Sequence, residues 1–295
     1  MADSRINQRT LLLDGRRMGF AEFGDPMGRP VFVLPDLPGS RFFGRHLELA
    51  ALKWRVRILC VDYPGIGLSD SCPGYRLLDW VDNLQSLAES LSLPRFAVIG
   101  ISGGAPFALA CATKIPERMT RAVVLNGLGP YSIAETNPWW DAQAEADFRL
   151  AREDPAQFRR NWAELFRLGL EDLLDAIIAQ LPPVDRQALA NPVVVEVIRD
   201  DLREAFHQGA GGAVEQAAAI WGEWGFNLRE IHLPVSVFHG GEDRNVPPDA
   251  GAYIASMIPG SHARFYPEDG HLSLFINHPD DIMRELITAS GSLRL

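Results

Sequence analysis

The stretch Phe96-Ala-Val-Ile-Gly-Ile-Ser-Gly-Gly-Ala-Pro-Phe107 decides how the rest of the chain is read. Phe96 to Ile99 is an apolar run with the length of a buried strand. It breaks at Gly100-Ile101-Ser102-Gly103-Gly104, and Ala105 to Thr113 follows as a helix with Pro106 in its first turn. The pentapeptide fits G-x-S-x-G, a strand-to-helix turn that holds a serine at a strained backbone position above a parallel sheet. Glycine is needed because a Cβ at Gly100 or Gly104 would strike the neighbouring strand or helix. Ser102 is thereby presented beside a helix N-terminus, where developing negative charge is favoured. Such a turn alone is weak evidence for a nucleophile. The flanking strand and helix strengthen it, and the rest of the chain must supply a base and an acid.

Around this turn, short apolar strands alternate with helices. Thr10 to Leu13 and Met18 to Phe23 flank Asp14-Gly15 and read as an antiparallel hairpin. Val31 to Leu34 and Val56 to Val61 are further strands, and Leu77, Leu78, Val81, Leu84, Leu87, Ala88 and Leu91 mark an amphipathic helix. Ala122 to Leu125 continues the series. From Gly127 to about Glu230 strands are absent and helix starts recur, with Asn137-Pro138, Asp154-Pro155 and Asn191-Pro192 each placing a capping residue before a first-turn proline. Phe158, Trp162, Leu165 and Phe166 form one apolar stripe, and Leu173, Leu174, Ile177 and Ile178 another. Strands resume with Val235 to Phe238 and Ala263 to Tyr266, separated by a helix around Ala250 to Met257, and a terminal helix begins near Pro279. This pattern predicts an α/β fold with a mostly parallel sheet of eight strands, flanked by helices. Residues 1–129 and 231–295 form the core, and 130–230 an inserted all-helical cap between strands six and seven.

Composition narrows the function classes. In 295 residues, 47% hydrophobic and 22% charged content is ordinary for a soluble enzyme, and a net charge of -10 argues against nucleic acid or an anionic membrane as partner. The N-terminal ten residues lack the apolar region of a secretory signal, and no apolar run is long enough to span a bilayer, which points to the cytoplasm. Cys60, Cys72 and Cys111 form no C-x-x-C pair, so neither disulfides nor zinc is expected, and Cys60 and Cys111 read as core packing. No P-loop or dinucleotide fingerprint is present, so no cofactor is expected and the partner is a small-molecule substrate. Oligomeric state is not legible. Between Tyr131 and Glu230 there are 18 Asp/Glu, 9 Arg and no Lys, a balance of -9 within the chain's -10. This is either a solvated outer face or an acidic entrance for cationic substrates. Trp139, Trp140, Trp162 and Trp221 are candidates for lining a pocket in this segment, with packing between cap and core as the plainer reading.

The loops after two late strands carry the remaining chemistry. His239-Gly-Gly-Glu-Asp243 follows one, and Pro267-Glu-Asp-Gly-His271 the other. In a parallel sheet both open at the same edge as the serine turn. A serine hydroxyl is a poor nucleophile until an imidazole takes its proton, and that imidazole needs a carboxylate to fix its tautomer. Ser102, His271 and Asp243 fill these roles. His239 reads as a satisfied structural histidine, His278 has no partner signal, and Glu242, Glu268 and Asp269 are the rival acids. Asp62 and Asp70 read as turn formers.

With Asp62-Tyr-Pro-Gly-Ile-Gly-Leu-Ser69, Leu78-Asp-Trp80, Gly100-Ile-Ser-Gly-Gly104, Ala108-Leu-Ala-Cys-Ala112, His239-Gly240 with Asp243, and Gly270-His271, the chain resembles the α/β-hydrolase superfamily. The likeness is to its proline-iminopeptidase-like and esterase-like members with a helical cap, and it covers nearly the whole chain. It implies the triad order Ser102, Asp243, His271, and an oxyanion hole made by the backbone N–H groups of Leu37 and Gly103. One departure stands out. Relatives carry His-Gly before x-Pro-Gly-Ser, where this chain has Pro35-Asp36-Leu37-Pro38-Gly39-Ser40. Asp36 therefore faces away as a structural substitute, or binds a polar or cationic substrate group, or serves as an acid/base in a lyase, cyclase or acyl-transfer reaction. The leading expectation is a serine hydrolase of a small ester, lactone or related acyl compound. The alternatives are an aminopeptidase-like hydrolase, a cofactor-free biosynthetic enzyme using Asp36, and a noncatalytic small-ligand binder.

Overall fold

The structure of the protein, a computed structural model, describes residues 3–130, 142–167 and 169–288. A short helix α1 (Asp3–Ile6) leads into an eight-stranded sheet: β1 (Gln8–Leu11), β2 (Arg17–Gly24), β3 (Arg29–Leu34), β4 (Val56–Val61), β5 (Phe96–Ile101), β6 (Met119–Leu125), β7 (Val235–Gly240) and β8 (His262–Tyr266). The spatial order is β1-β2-β4-β3-β5-β6-β7-β8. β2 pairs antiparallel with β1 and with β4, and every other pairing is parallel. The expected hairpin is present, and its first strand starts two residues earlier than its sequence pattern and ends at Leu11. The turn that follows holds Gly15 at φ 85°.

Period-two alternation divides the strand residues between two cores. Phe32, Leu34, Leu59 and Val61 face one layer with α3 (Leu77–Ser90) and α4 (Ala105–Lys114). Val31, Val33, Ile58 and Cys60 face the other, with α2 (Glu48–Trp54) and, late in the chain, α13 (Pro279–Ile287). Both faces being covered explains why β5 is buried at all six positions and reads as a continuous apolar run. Cys60 and Cys111 are fully buried in these cores, as their contexts predict.

Between β6 and β7 the described chain is helical: α5 (Ala142–Glu153), α6 (Pro155–Leu165), α7 (Leu170–Gln180), α8 (Pro183–Ala188), α9 (Pro192–Ala205) and α10 (Gly211–Trp221). Asp154 caps α6 by accepting from Gln157 N–H, and Asn191 caps α9 by accepting from Val193 N–H, so both Asx-Pro starts act as read. Asn137-Pro138, Trp139 and Trp140 lie outside the described residues. The first stripe needs one correction. Phe158 and Phe166 are buried, whereas Leu165, the last residue of α6, is 51% exposed. The remaining helices, α11 (Pro248–Met257) and α12 (Ser273–Asn277), flank β8 in sequence. Among the described residues no helix is long and apolar enough to cross a membrane.

Candidate active site

The turn after β5 is built as its glycines require. A Cβ on Gly104 would strike the carbonyl oxygen of Leu34 at the end of β3, and one on Gly100 would lie 2.6 Å from Gly104 O and 2.7 Å from Ala108 Cβ. Ser102 takes φ 49°, a left-handed conformation that non-glycine residues seldom adopt. The turn thus lifts the serine out of both strand and helix, although it remains 95% buried.

Asp243 and His271 meet at the same edge. His271 Nδ1 lies 2.7 Å from Asp243 Oδ2, and both residues are buried. The other Asp243 oxygen accepts the N–H groups of Asn245 and Val246, each at 2.9 Å. Burial works against the Asp243 charge, but the opposing charge of His271 and hydrogen bonds from His239 and His271 hold its carboxyl well below the usual range. His271 shows the reciprocal effect. Burial pulls it down, yet the charge and hydrogen bond of Asp243, with Asp36 adding to both, raise it well above the ordinary histidine value.

Of the rival acids, Glu242 and Glu268 are exposed, and Asp269 is engaged elsewhere. Asp269 binds His278 Nε2 at 2.7 Å and Asn277 Nδ2 at 2.7 Å. His278, which carries no partner signal in the sequence, is therefore paired with a residue nine positions earlier. His239 is only half satisfied. Its Nε2 lies 2.8 Å from Val246 O and 3.5 Å from Asp243 Oδ2, while its buried Nδ1 has no partner among the described residues. Asp62 and Asp70 serve in turns and caps. Asp62 is fully buried, binding Arg41 and the N–H of Leu68, and Asp70 binds the Arg17 backbone and guanidinium.

The loop after β3 departs from the expectation that Asp36 faces away. Its Oδ1 accepts the N–H of Leu37 at 2.6 Å and the N–H of Gly103 at 3.0 Å. Its Oδ2 lies 3.6 Å from His271 Nε2. The Leu37 and Gly103 amides do converge on one point, and that point is a carboxylate oxygen of the same chain. The Ser102 hydroxyl makes no hydrogen bond with His271 or with any other described residue.

Ser102, His271, Asp36 and Leu37 share one cavity of about 440 Å³, walled also by Leu128, Ala144, Trp162, Trp221, Arg244, Asn245, Val246 and Pro247. Two of the four candidate tryptophans thus line it, and Trp139 and Trp140 lie outside the described residues. An adjoining compartment of about 160 Å³ shares Asp36, Leu37, Asn245 and His271 and is otherwise mostly apolar, with Leu174, Ile177 and Ile178 of α7 on its wall. None of the described acidic residues between β6 and β7 lines the larger cavity. Several pair instead with arginine, as Glu215 does with Arg159 and Glu171 with Arg199. Among the described residues no cluster of His, Cys, Asp or Glu is arranged to hold a metal ion.

Two site-forming residues carry little signal in the sequence. Asn126, at φ 48° after β6, donates to the carbonyls of Gly270 and His271 and accepts from Gly240 N–H. Asp185, on α8, accepts from the N–H groups of His271, Leu272 and Ser273 and from the Ser273 hydroxyl. An Asn before Gly127 at a strand end was the available hint for the first. Nothing local marks Asp185.

Known proteins resemble the chain in sequence and in fold. The chain is 26% identical over 239 residues to the 2-hydroxy-6-oxononadienedioate/2-hydroxy-6-oxononatrienedioate hydrolase of Escherichia coli strain K12, covering 80% of this chain and 77% of that protein. Its fold matches the enol-lactonase of Burkholderia xenovorans LB400 with a TM-score of 0.70 at 20% identity, over 95% of this chain and 98% of the other. An esterase from Exiguobacterium antarcticum matches with a TM-score of 0.69 at 17% identity, over 96% and 98%. A sequence model of the alpha/beta hydrolase fold matches residues 30–278, which run from β3 to the start of α13, and the chain therefore belongs to the α/β-hydrolase family.

Proposed function

We propose that the protein is a serine hydrolase of small esters, lactones or related acyl compounds. The observation that carries this reading is the buried 2.7 Å contact between Asp243 and His271 on the edge of the cavity that Ser102 walls. Neutral His271 takes the Ser102 proton through Nε2 as Oγ adds to the substrate carbonyl, and Asp243 fixes the tautomer and stabilises the imidazolium. The amides of Leu37 and Gly103 hold the oxyanion. His271 then gives the proton to the leaving oxygen, and the acyl group stays on Ser102. A water molecule, deprotonated by the same imidazole, releases the acid and restores the serine. The Trp162 and Trp221 rings give the acyl or alcohol portion an apolar wall. A relative named as a hydrolase and neighbours named as an esterase and an enol-lactonase agree with attack on a carbonyl.

Ser102→Ala removes the nucleophile and is expected to lower turnover of p-nitrophenyl esters by about 10³-fold or more. A fluorophosphonate should label wild-type Ser102 and leave the alanine variant unmarked. Full esterase activity in the variant would overturn the mechanism.

A further inference from the structure

We infer that the Asp36 carboxylate is a built-in occupant of the oxyanion hole, an internal inhibitor that a substrate carbonyl must displace, so that Asp36 sets which acyl compounds are turned over. The inference rests on the serine-hydrolase reading above and adds to it a residue that acts against the reaction.

Geometry distinguishes this from an ordinary loop aspartate. An Asp side chain that bonds the next backbone N–H is a common local turn device. Asp36 does this with Leu37, but the same oxygen also accepts the N–H of Gly103, 67 residues away in the serine turn. Those are the two donors that an oxyanion would need, and at 2.6 and 3.0 Å they hold the carboxylate oxygen at or just inside the roughly 2.7–3.1 Å at which such donors act. A carbonyl oxygen cannot share that point with a carboxylate oxygen. Asp36 Oδ2 faces His271 Nε2, the atom that must receive the serine proton, and the Ser102 hydroxyl is left without a partner among the described residues. The resting site thus resembles an enzyme with a carboxylate product bound.

The device can open without moving the loop. Tyr63 donates its hydroxyl to Pro35 O at 3.2 Å, and Gln216 reaches Asp36 O at 3.4 Å. The carbonyls of Leu34 and Pro35 lie against Gly104, where a Cβ would strike them. The main chain is held on several sides. The Asp36 side chain, by contrast, is 32% exposed and forms part of the cavity wall, so rotation about its own bonds would empty the hole. Simple acyl groups that bring nothing to offset the lost contacts would compete poorly. Preferred substrates would offer hydrogen-bond donors or positive charge to the displaced carboxylate.

The test uses the full chain with Asp36→Gly, Asp36→Ala and Asp36→Asn. An occupant that fills the hole about nine-tenths of the time lowers kcat/KM about tenfold. Asp36→Gly and Asp36→Ala should therefore raise kcat/KM for p-nitrophenyl acetate, and the rate of fluorophosphonate labelling at Ser102, by about tenfold or more. Phenylboronic acid, whose serine adduct places an oxygen in the hole, should inhibit both variants more tightly than wild type. Asp36→Asn keeps an oxygen for the two amides without the charge, and should fall between. It also serves as the reporter if the smaller variants fail to fold. Labelling and hydrolysis no faster in these variants, with Ser102 still labelled in wild type, would overturn the inhibitor while leaving the nucleophile intact. Absence of labelling in every form would overturn the nucleophile and the inhibitor together.

Discussion

His271 lies between two carboxylates, Asp243 at Nδ1 and Asp36 at Nε2, and a third, Asp185, accepts its backbone N–H. Burial disfavours the imidazolium, but the Asp243 and Asp36 charges outweigh that and raise the group well above its ordinary value. In the proposed mechanism His271 is the general base and must be neutral, so the rate should fall as pH drops through this raised value. Asp36→Asn removes one of the two ring-facing charges and leaves Asp243 in place. The acidic limb of its kcat/KM profile should then lie at lower pH than in wild type, because less charge favours the protonated ring. Comparing the two profiles on one p-nitrophenyl ester checks this. An unmoved limb would mean that Asp36 does not face the ring in solution. At this scale the sequence was informative where chemistry is local. Ser102 sits in a pentapeptide whose glycines have steric reasons, and Asp243 and His271 each lie in the loop that follows a strand. It was silent on where Asp36 points, since a side-chain rotamer leaves no pattern in the chain. It also missed the His278 partner, because Asp269 read equally well as a neighbour of His271.

Among elements, α8 matters out of proportion to its six residues. Its Asp185 is fully buried and takes three amides and one hydroxyl from the start of the His271 segment, where α12 begins. One carboxylate therefore caps a helix and fixes the loop that carries His271. Asp185→Ala would leave three N–H groups without their acceptor. The expected cost is about 3 kcal/mol or more, since each buried donor left unmade costs roughly 1–3 kcal/mol. Denaturant unfolding should show that loss, and kcat on model esters should fall further than KM changes as His271 loosens. Asp185→Asn, which keeps one good acceptor oxygen, should recover part of both. Unchanged stability and activity in the alanine variant would show that the loop holds itself. Neither α8 nor its role was readable. Pro183 gives the helix start, but the partner of Asp185 lies 86 to 88 residues later, and such contacts have no period. The helices with strong periodicity or Asx-Pro starts, α3, α6 and α9, were legible for the opposite reason. The short α2 and the 3-10 turn at Arg41–Leu47 were not, being too brief to repeat a pattern.

Across the whole molecule, α9 is joined to the segment that follows the Asp36 loop by a row of acidic side chains. Asp200 pairs with Arg45 at 2.8 Å, Asp201 accepts the Ser40 N–H and hydroxyl, and Glu204 meets Arg41, which also binds buried Asp62. Part of the acidity concentrated between β6 and β7 is thus spent on docking those helices to the sheet domain, a use that net charge alone does not reveal. Asp201 carries a displaced carboxyl. Burial raises its carboxyl to about 7, against the lowering effect of its Ser40 hydrogen bonds and with the nearby Asp62 charge adding to the rise. Unfolded, the same group titrates near 3.9. Between those values the folded chain binds the proton and the unfolded chain does not, so this group's contribution to stability falls as pH rises from about 4 to about 7 and stays lost above it. Asp201→Asn keeps an oxygen for both Ser40 donors and removes the charge. Its melting temperature should exceed that of wild type at pH 8 by a few degrees, about what 1–2 kcal/mol gives in a chain of this size. Near pH 5 the advantage should shrink, because wild-type Asp201 is then neutral as well. Thermal melts at the two pH values decide it, and a variant less stable at pH 8 would mean that the Asp201 charge strengthens the docking of α9 rather than straining it.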